Sequence, residues 1–412
     1  MHFGRNFPNK PRELIVFELS KLISTVEGSA TLAITALVKK LKAEGKDVLS
    51  FSAGEPDFPT PSFIKEAAID AINKNFTYYT PNVGTPDLLA AIVSKFKKDN
   101  ELDYTPQEVL VSNGAKHSLY NVLMAVCNPG DEVIYQSPYW VSYPEMVKLV
   151  QGVSVVIHAG TDSGYKITPD QLRAAITPKT KVFIFNSPSN PTGATYTPEE
   201  IMALGAVLAD KNILILSDEI YEKIIFDGVK HYSIAQYPGL KDKTVVVNGL
   251  SKAYSMTGWR IGYAAGPKYI IDESAKIQSH STSNACSVSQ KAATAALNGP
   301  TDDLEMMAKK FEERRNLIMS EMVKIPGVKC PRPGGAFYVF FDVSEYYGKQ
   351  YNGTVIKSSS EMCTYLLAEV NIGLVPGDAF GNDDCVRMSF ACSDANILEG
   401  IRRLSTGLAN LK

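Results

Sequence analysis

The chain has 412 residues, 45% of them hydrophobic and 21% charged, and its 42 basic and 44 acidic side chains leave a net charge of −2. At about 150 residues per domain this length predicts two domains, or three, and the composition excludes disordered and fibrous classes. So small a net charge excludes broad attraction to nucleic acid or to an anionic membrane, and a small-molecule partner is expected.

The amino terminus carries His2, Arg5, Lys10 and Arg12 around prolines, without the apolar stretch and cleavage site of a secretory signal. The longest apolar runs, such as Leu14 to Phe17 and Ile213 to Leu216, fall far short of the ~20 residues that cross a bilayer. A cytoplasmic protein is expected. The spacing of Leu32, Ile34, Leu37, Val38 and Leu41 predicts a helix from Ser29 to Gly45 that packs with the C-terminal domain. Lysines 39, 40 and 42, and likewise 95, 97 and 98, read as solvated helix faces.

Short β-branched runs then predict buried strands at Glu108–Ser112, Glu132–Tyr135, Val153–Ile157, Lys181–Asn186, Ile213–Ser217 and Thr244–Asn248. Helical patterns lie between several of them; Leu119, Val122, Leu123 and Val126 form one apolar stripe. The class is α/β with a mostly parallel sheet. After about residue 300 a long charged helix through Lys309, Lys310, Glu312, Glu313, Arg314 and Arg315 opens a second, α+β domain. The six cysteines form no C-x-x-C pair, and no histidine is spaced for zinc, so reduced structural thiols and no metal are expected.

Ligands of open parallel sheets bind beyond the carboxyl ends of strands, which singles out four segments. Ser112 to Lys116 sets small residues between a strand and a helix, where free N–H groups suit a phosphate, although such turns are commonly only turns. In Asn186 to Gly193, Asn-Pro-Thr-Gly is by itself an ordinary turn. In Ser217 to Tyr221 a carboxylate leaves an apolar run with a phenol three residues on; a helix N-cap at Ser217 or Asp218 accounts for it equally. Asn248 to Lys252 ends on a lysine that, alone, reads as a surface residue.

In combination these segments resemble a class I aminotransferase of fold type I, similar to the bacterial aspartate aminotransferases. The matching pieces run in order: Gly54 to Phe58, Tyr79 with Gly84, Ser137 to Trp140, Asn190 to Gly193, Ser217 to Tyr221, Ser251-Lys252, Gly258 to Tyr263, Gly335 to Tyr338 and Val386-Arg387. The resemblance implies a large domain whose mostly parallel seven-stranded sheet lies between helices, and a smaller α+β domain built from both chain ends. Its boundaries would be 1–57 for the N-terminal arm and part of the small domain, 58–304 for the large domain and 305–412 for the rest.

It also implies pyridoxal 5'-phosphate as cofactor and assigns roles. Lys252 would bond the cofactor aldehyde and then shuttle the proton. Asp218 would keep the pyridine nitrogen protonated, since an ion pair favours the charged form. Tyr221 and Asn190 would hydrogen-bond the ring 3'-oxygen, and Trp140 would stack on the ring or merely fill core. Gly114, Ala115 and Arg260 would hold the phosphate, joined by Tyr79 of a neighbouring subunit, which implies a homodimer with shared active sites. Arg387, with Gly54 alongside, would grip the substrate α-carboxylate.

The expected reaction is a ping-pong transamination between an amino acid, aspartate first among them, and 2-oxoglutarate. Lys276 to Gln290 contains no arginine for the distal carboxylate. Lys116 is the candidate instead, unless it only steadies the phosphate. Glu27 stands where relatives that also use prephenate tend to have a basic residue. His117 reads as a helix-surface residue. The rival readings are an aminotransferase for alanine, an aromatic amino acid or prephenate, a carbon-sulfur lyase using the same cofactor, and, last, a non-catalytic sensor.

Overall fold

The computed structural model describes residues 17–412; the N-terminal residues 2–16 weighed above lie outside them. The helix α1 (Ala30–Ala43) starts on a Ser29 cap and is followed by β1 (Leu49–Ser50), α2 (Ser62–Asn73) and α3 (Pro86–Asn100). Then come β2 (Val109–Ser112), α4 (Ala115–Val126), β3 (Glu132–Ser137), α5 (Ser142–Leu149), β4 (Val153–His158), α6 (Pro169–Ala175) and β5 (Thr180–Asn186). The run continues through α7 (Pro198–Leu208), β6 (Leu214–Asp218), β7 (Thr244–Gly249), β8 (Gly262–Ala265), α8 (Lys268–Ser281) and α9 (Ser287–Asn298).

These strands form a seven-stranded sheet in the order β2-β8-β7-β6-β5-β3-β4. Only β8 runs against its neighbours, pairing antiparallel with both β2 and β7. Six strands match the expected runs within a residue or two, while β8 was not expected. Burial on both faces explains the apolar continuity of the strands: in β6, Ile215 packs toward α6 and α7, and Leu216 toward α4 and α5. The fold is the α/β class expected.

The smaller unit follows: α10 (Asp302–Met322), β9 (Tyr338–Asp342), the hairpin β10 (Gln350–Tyr351) and β11 (Thr354–Val355), α11 (Ser359–Val370), β12 (Ile372–Gly373), β13 (Val375–Pro376), β14 (Cys385–Ser389) and α12 (Asp394–Ala409). Strands β13, β14 and β9 make an antiparallel sheet, and β1 pairs in parallel with β12, drawing the N-terminal segment into this unit. Helix α1 packs there too, with Val38 against Gly373. We propose domain boundaries at 57/58 and 304/305, because Leu304 belongs to the core around α2, α3 and α9 whereas Phe311, on the same helix, belongs to the core of β9 and β14.

One charge reading changes in the folded chain. Lys95 is buried, not solvated, and pairs with the buried Glu222. On α10, Arg314 and Arg315 are buried as well, held by bidentate bonds to Asp57 and Asp227. The guanidinium of each lies over a ring, that of Phe58 and Phe226 respectively, so the pair is packed as well as charged.

Candidate active site

The carboxyl ends of β5, β6 and β7 and the N-terminus of α4 open on one cavity of about 370 Å³, within the size range of small-ligand sites. Its walls bring together Gly54, Ala115, Lys116, Trp140, Asn190, Asp218, Tyr221, Lys252, Arg260 and Arg387 from segments far apart in sequence. Of the residues singled out, Tyr79 lies outside the cavity at 92% exposure. Gly114 is not a wall residue but the cap of α4 beneath it.

Asp218 ends β6 with its carboxylate buried. No helix follows, so the N-cap alternative fails; the chain turns back through Glu219 to Glu222. Burial pushes the carboxyl up to about 6, against hydrogen bonds from the Tyr143 hydroxyl (2.8 Å) and the Ile220 N–H, which pull it down. Lys252 sits in the turn after β7 and donates to the Gly54 carbonyl. Burial lowers its ammonium to about 8, so the neutral amine is accessible near neutral pH. Its Nζ is 5.9 Å from the centre of the Tyr221 ring, and the Tyr221 and Tyr338 hydroxyls are 2.9 Å apart. Burial first, then Tyr338, holds the Tyr221 phenol well above its ordinary value, which keeps it a proton donor.

Arg387 is 2% exposed, which removes the surface alternative. It donates to Asn190 Oδ1 (3.0 Å) and the Ser52 carbonyl (2.7 Å), lies 4.6 Å from the Tyr338 ring centre, and leaves Nε without a partner. Among the described residues no carboxylate pairs with it. A buried cation with no anion is costly, and here it faces a cavity that an anion can enter.

At the other end, the first N–H groups of α4 have no helix partner and Gly114 provides no capping side chain. Gly114 has φ +86°, and a Cβ there would stand 2.3 Å from Arg260 Nη2. Arg260 itself donates to the carbonyls of Thr257 (2.9 Å) and Asn113 (3.2 Å), which holds its guanidinium over the helix end. Gly262 seals the floor: a Cβ would meet Ala115 N at 2.1 Å. The product is an anion cradle of N–H groups and one guanidinium.

Lys116 Nζ lies 4.8 Å over the Trp140 ring, and burial, then Arg260, lowers its ammonium from the ordinary value. His117 accepts the Asn113 N–H (3.3 Å) and is not a cavity residue. The wall residues that had been given no role include Tyr143, which bonds Asp218; Tyr338, which bonds Tyr221; and Asn186, whose Nδ2 donates to the Asp218 carbonyl (2.9 Å). The signal for Tyr143 was its place one helical turn after Trp140, and for Asn186 its place as a buried amide ending β5.

The family described as aminotransferase class I and II matches residues 46–404. An aspartate aminotransferase of Bacillus sp. (strain YM-2) is 50% identical over 387 residues, 94% of this chain and 98% of the relative. An aspartate/prephenate aminotransferase of Nitrosomonas europaea is 46% identical over 95% of this chain and 100% of its own. Among solved structures, the aspartate aminotransferase of Rhizobium meliloti superposes with a TM-score of 0.93 at 43% identity, covering 96% of this chain and 100% of that one. On sequence over nearly its whole length, and on fold, this chain belongs to the class I and II aminotransferases.

Proposed function

We propose that the chain is a cytoplasmic, homodimeric aspartate aminotransferase that uses pyridoxal 5'-phosphate and passes the amino group of aspartate to 2-oxoglutarate in a ping-pong reaction. The observation that carries the reading is one cavity holding a lysine lowered to about 8, a buried carboxylate and a buried guanidinium that has no counter-ion among the described residues. The donor set fits the cofactor: an anion cradle at Gly114, Ala115 and Arg260 for the phosphate, Asp218 for the ring nitrogen, Tyr221 and Asn190 for the ring oxygen, Trp140 for the ring face and Lys252 for the aldehyde. When bound, the cofactor supplies the electron sink that makes removal of a Cα proton feasible.

The chain's own groups do the rest. Arg387 and the backbone near Gly54 fix the substrate α-carboxylate, and one fixed carboxylate leaves the Cα–H bond a single favoured direction. The Lys252 amine takes that proton, and its low pKa leaves it unprotonated often enough to act as base. Asp218, buried and bonded by Tyr143, offers a negative charge that needs no reorganisation.

Lys116 at the cavity wall is the group for a distal carboxylate, which favours aspartate and glutamate over alanine. Glu27 lines an adjoining cavity with Lys116 and Tyr139, and an acid there disfavours a second carboxylate such as prephenate carries. Purified protein given aspartate and 2-oxoglutarate should release oxaloacetate. Pyruvate and ammonia from cysteine with no oxo acid required would overturn the reading in favour of a lyase. In Lys116→Ala, kcat/KM for aspartate should fall about tenfold or more while that for alanine changes little; equal losses would remove the specificity role.

A further inference from the structure

The segment that delivers Asp218 and Tyr221 has a reverse side. Side chains alternate along a strand, so Ser217 and Glu219 point away from the cavity while Asp218 points into it. Glu219 is buried, and its carboxylate accepts the hydroxyls of Ser217 (2.8 Å) and Ser233 (2.6 Å) and stands 2.9 Å from His231 Nε2. Three residues on, the turn closes through Glu222 N to the Glu219 carbonyl (3.0 Å). The Glu222 carboxylate, buried too, is held by the Lys95 ammonium and by Asn100 Nδ2 (3.0 Å), which is itself bonded to Lys95. Burial alone would raise the Glu222 carboxyl; Lys95, His231 and Lys223 instead hold it at about 2.

The geometry points to these two glutamates as positioning residues: Glu219, held by Ser217, Ser233 and His231, and Glu222, held by Lys95 and Asn100, set the placement of Asp218 and Tyr221 against the cofactor. This rests on the function proposed above. The carboxylate and imidazole atoms of Glu219, Glu222 and His231 lie within 4.8 Å of one another, a spacing that could also suit a metal ion. Both carboxylates are already taken by donors, and an ion beside Glu222 would face the Lys95 ammonium, so the cluster is a clamp. A clamp of this kind acts through geometry: letting either glutamate go frees the turn on which two cavity residues three positions apart are carried.

Glu219→Gln and Glu222→Gln keep the side-chain size and drop the charge, and Ser233→Ala trims a single donor as a milder test. Three readouts separate positioning from mere support. They are the dissociation constant of pyridoxal phosphate from the cofactor-free protein by tryptophan fluorescence, the pH midpoint of its visible absorption when bound, and the melting temperature without it. For the glutamine variants the dissociation constant should rise about tenfold and the midpoint should move by about half a pH unit. Ser233→Ala should show the same changes at about a third of the size, and decides the matter if the glutamine variants do not fold. A lowered melting temperature with both cofactor readouts unchanged would overturn the inference. Wild-type protein that binds no pyridoxal phosphate would instead bring down the proposed function itself.

Discussion

Burial acts in opposite directions on Asp218 and Lys252. The carboxyl, ordinarily near 3.8, is raised to about 6 by burial, so folding favours its protonated form; that stabilisation is complete below the ordinary value and is lost as pH rises through 6. The amine, ordinarily near 10.5, is lowered to about 8 by burial, so folding favours its neutral form; that stabilisation is present above 10.5 and is lost as pH falls through 8. Between pH 6 and 8 the cofactor-free protein therefore keeps both groups charged and buried, each at a cost of about 3 kcal/mol. Bound pyridoxal phosphate would relieve both, so the gain in melting temperature on adding it should be largest between pH 6 and 8. A gain that stays level from pH 5 to 9 in calorimetry would count against the roles given to both residues. At this scale the order of motifs, not the residue type, made it legible that Lys252, Asp218 and Arg387 would meet in one cavity. Tyr143 and Tyr338 were not legible, because an aromatic at helical or strand spacing is commonly core, and only the fold shows which hydroxyl meets which carboxylate or phenol.

Elements explain where the reading of the chain succeeded and where it failed. Six strands were legible because each is a β-branched run buried on both faces, whereas β8 is Gly-Tyr-Ala-Ala, a stretch with no branched residue to announce it. Its small residues are required by what it touches, since Gly262 lies against Ala115 and Gly114. The lysines of α3 show a different failure. Lys95 was read as solvated because it is charged, yet it lies on the buried side of the helix with Leu88, Ile92 and Phe96. What composition could not supply was Glu222, 127 positions on, which makes burial tolerable. The α4 cap carries its own prediction. Gly114→Ala puts a Cβ on a left-handed backbone and into the Arg260 guanidinium, so the affinity for pyridoxal phosphate should fall by about tenfold to a hundredfold, measured by equilibrium titration. Wild-type affinity in that variant would mean that the phosphate sits elsewhere.

For the whole molecule, the two units meet over the cavity through a shared core: Phe51, Tyr221, Phe311, Phe337 and Met388 pack in one cluster although they come from both. The proposed division into units rests on a change of pattern near residue 300, whereas the pairing of β1 with β12 left no mark in the sequence, because a two-residue strand gives no periodicity to read. Tyr78 and Tyr79 stand out at 79% and 92% exposure, costly for two aromatic rings unless something covers them. If Tyr79 serves the site of a second copy, then mixing Tyr79→Phe subunits with Lys252→Ala subunits makes hybrids with one intact site and one doubly defective site. Such hybrids should recover about half of the wild-type kcat per dimer, in proportion to their share of the mixture. No recovery beyond that of the Tyr79→Phe protein alone would confine the tyrosine to its own chain.

The reversed direction of β8 has a consequence for how a ligand would hold the chain. Because β7 and β8 run oppositely, the stretch between them leaves and re-enters the sheet at one rim, and Lys252 stands near its beginning while Arg260 stands near its end. A molecule gripped by both spans that stretch like a staple, closing a loop that is otherwise tied by the sheet and by hydrogen bonds to the segment from Gly54 to Thr60. Backbone amides from Leu250 to Ile261 should then lose hydrogen exchange together, as one cooperative unit, when pyridoxal phosphate is added, and mass spectrometry of that peptide would show whether they do.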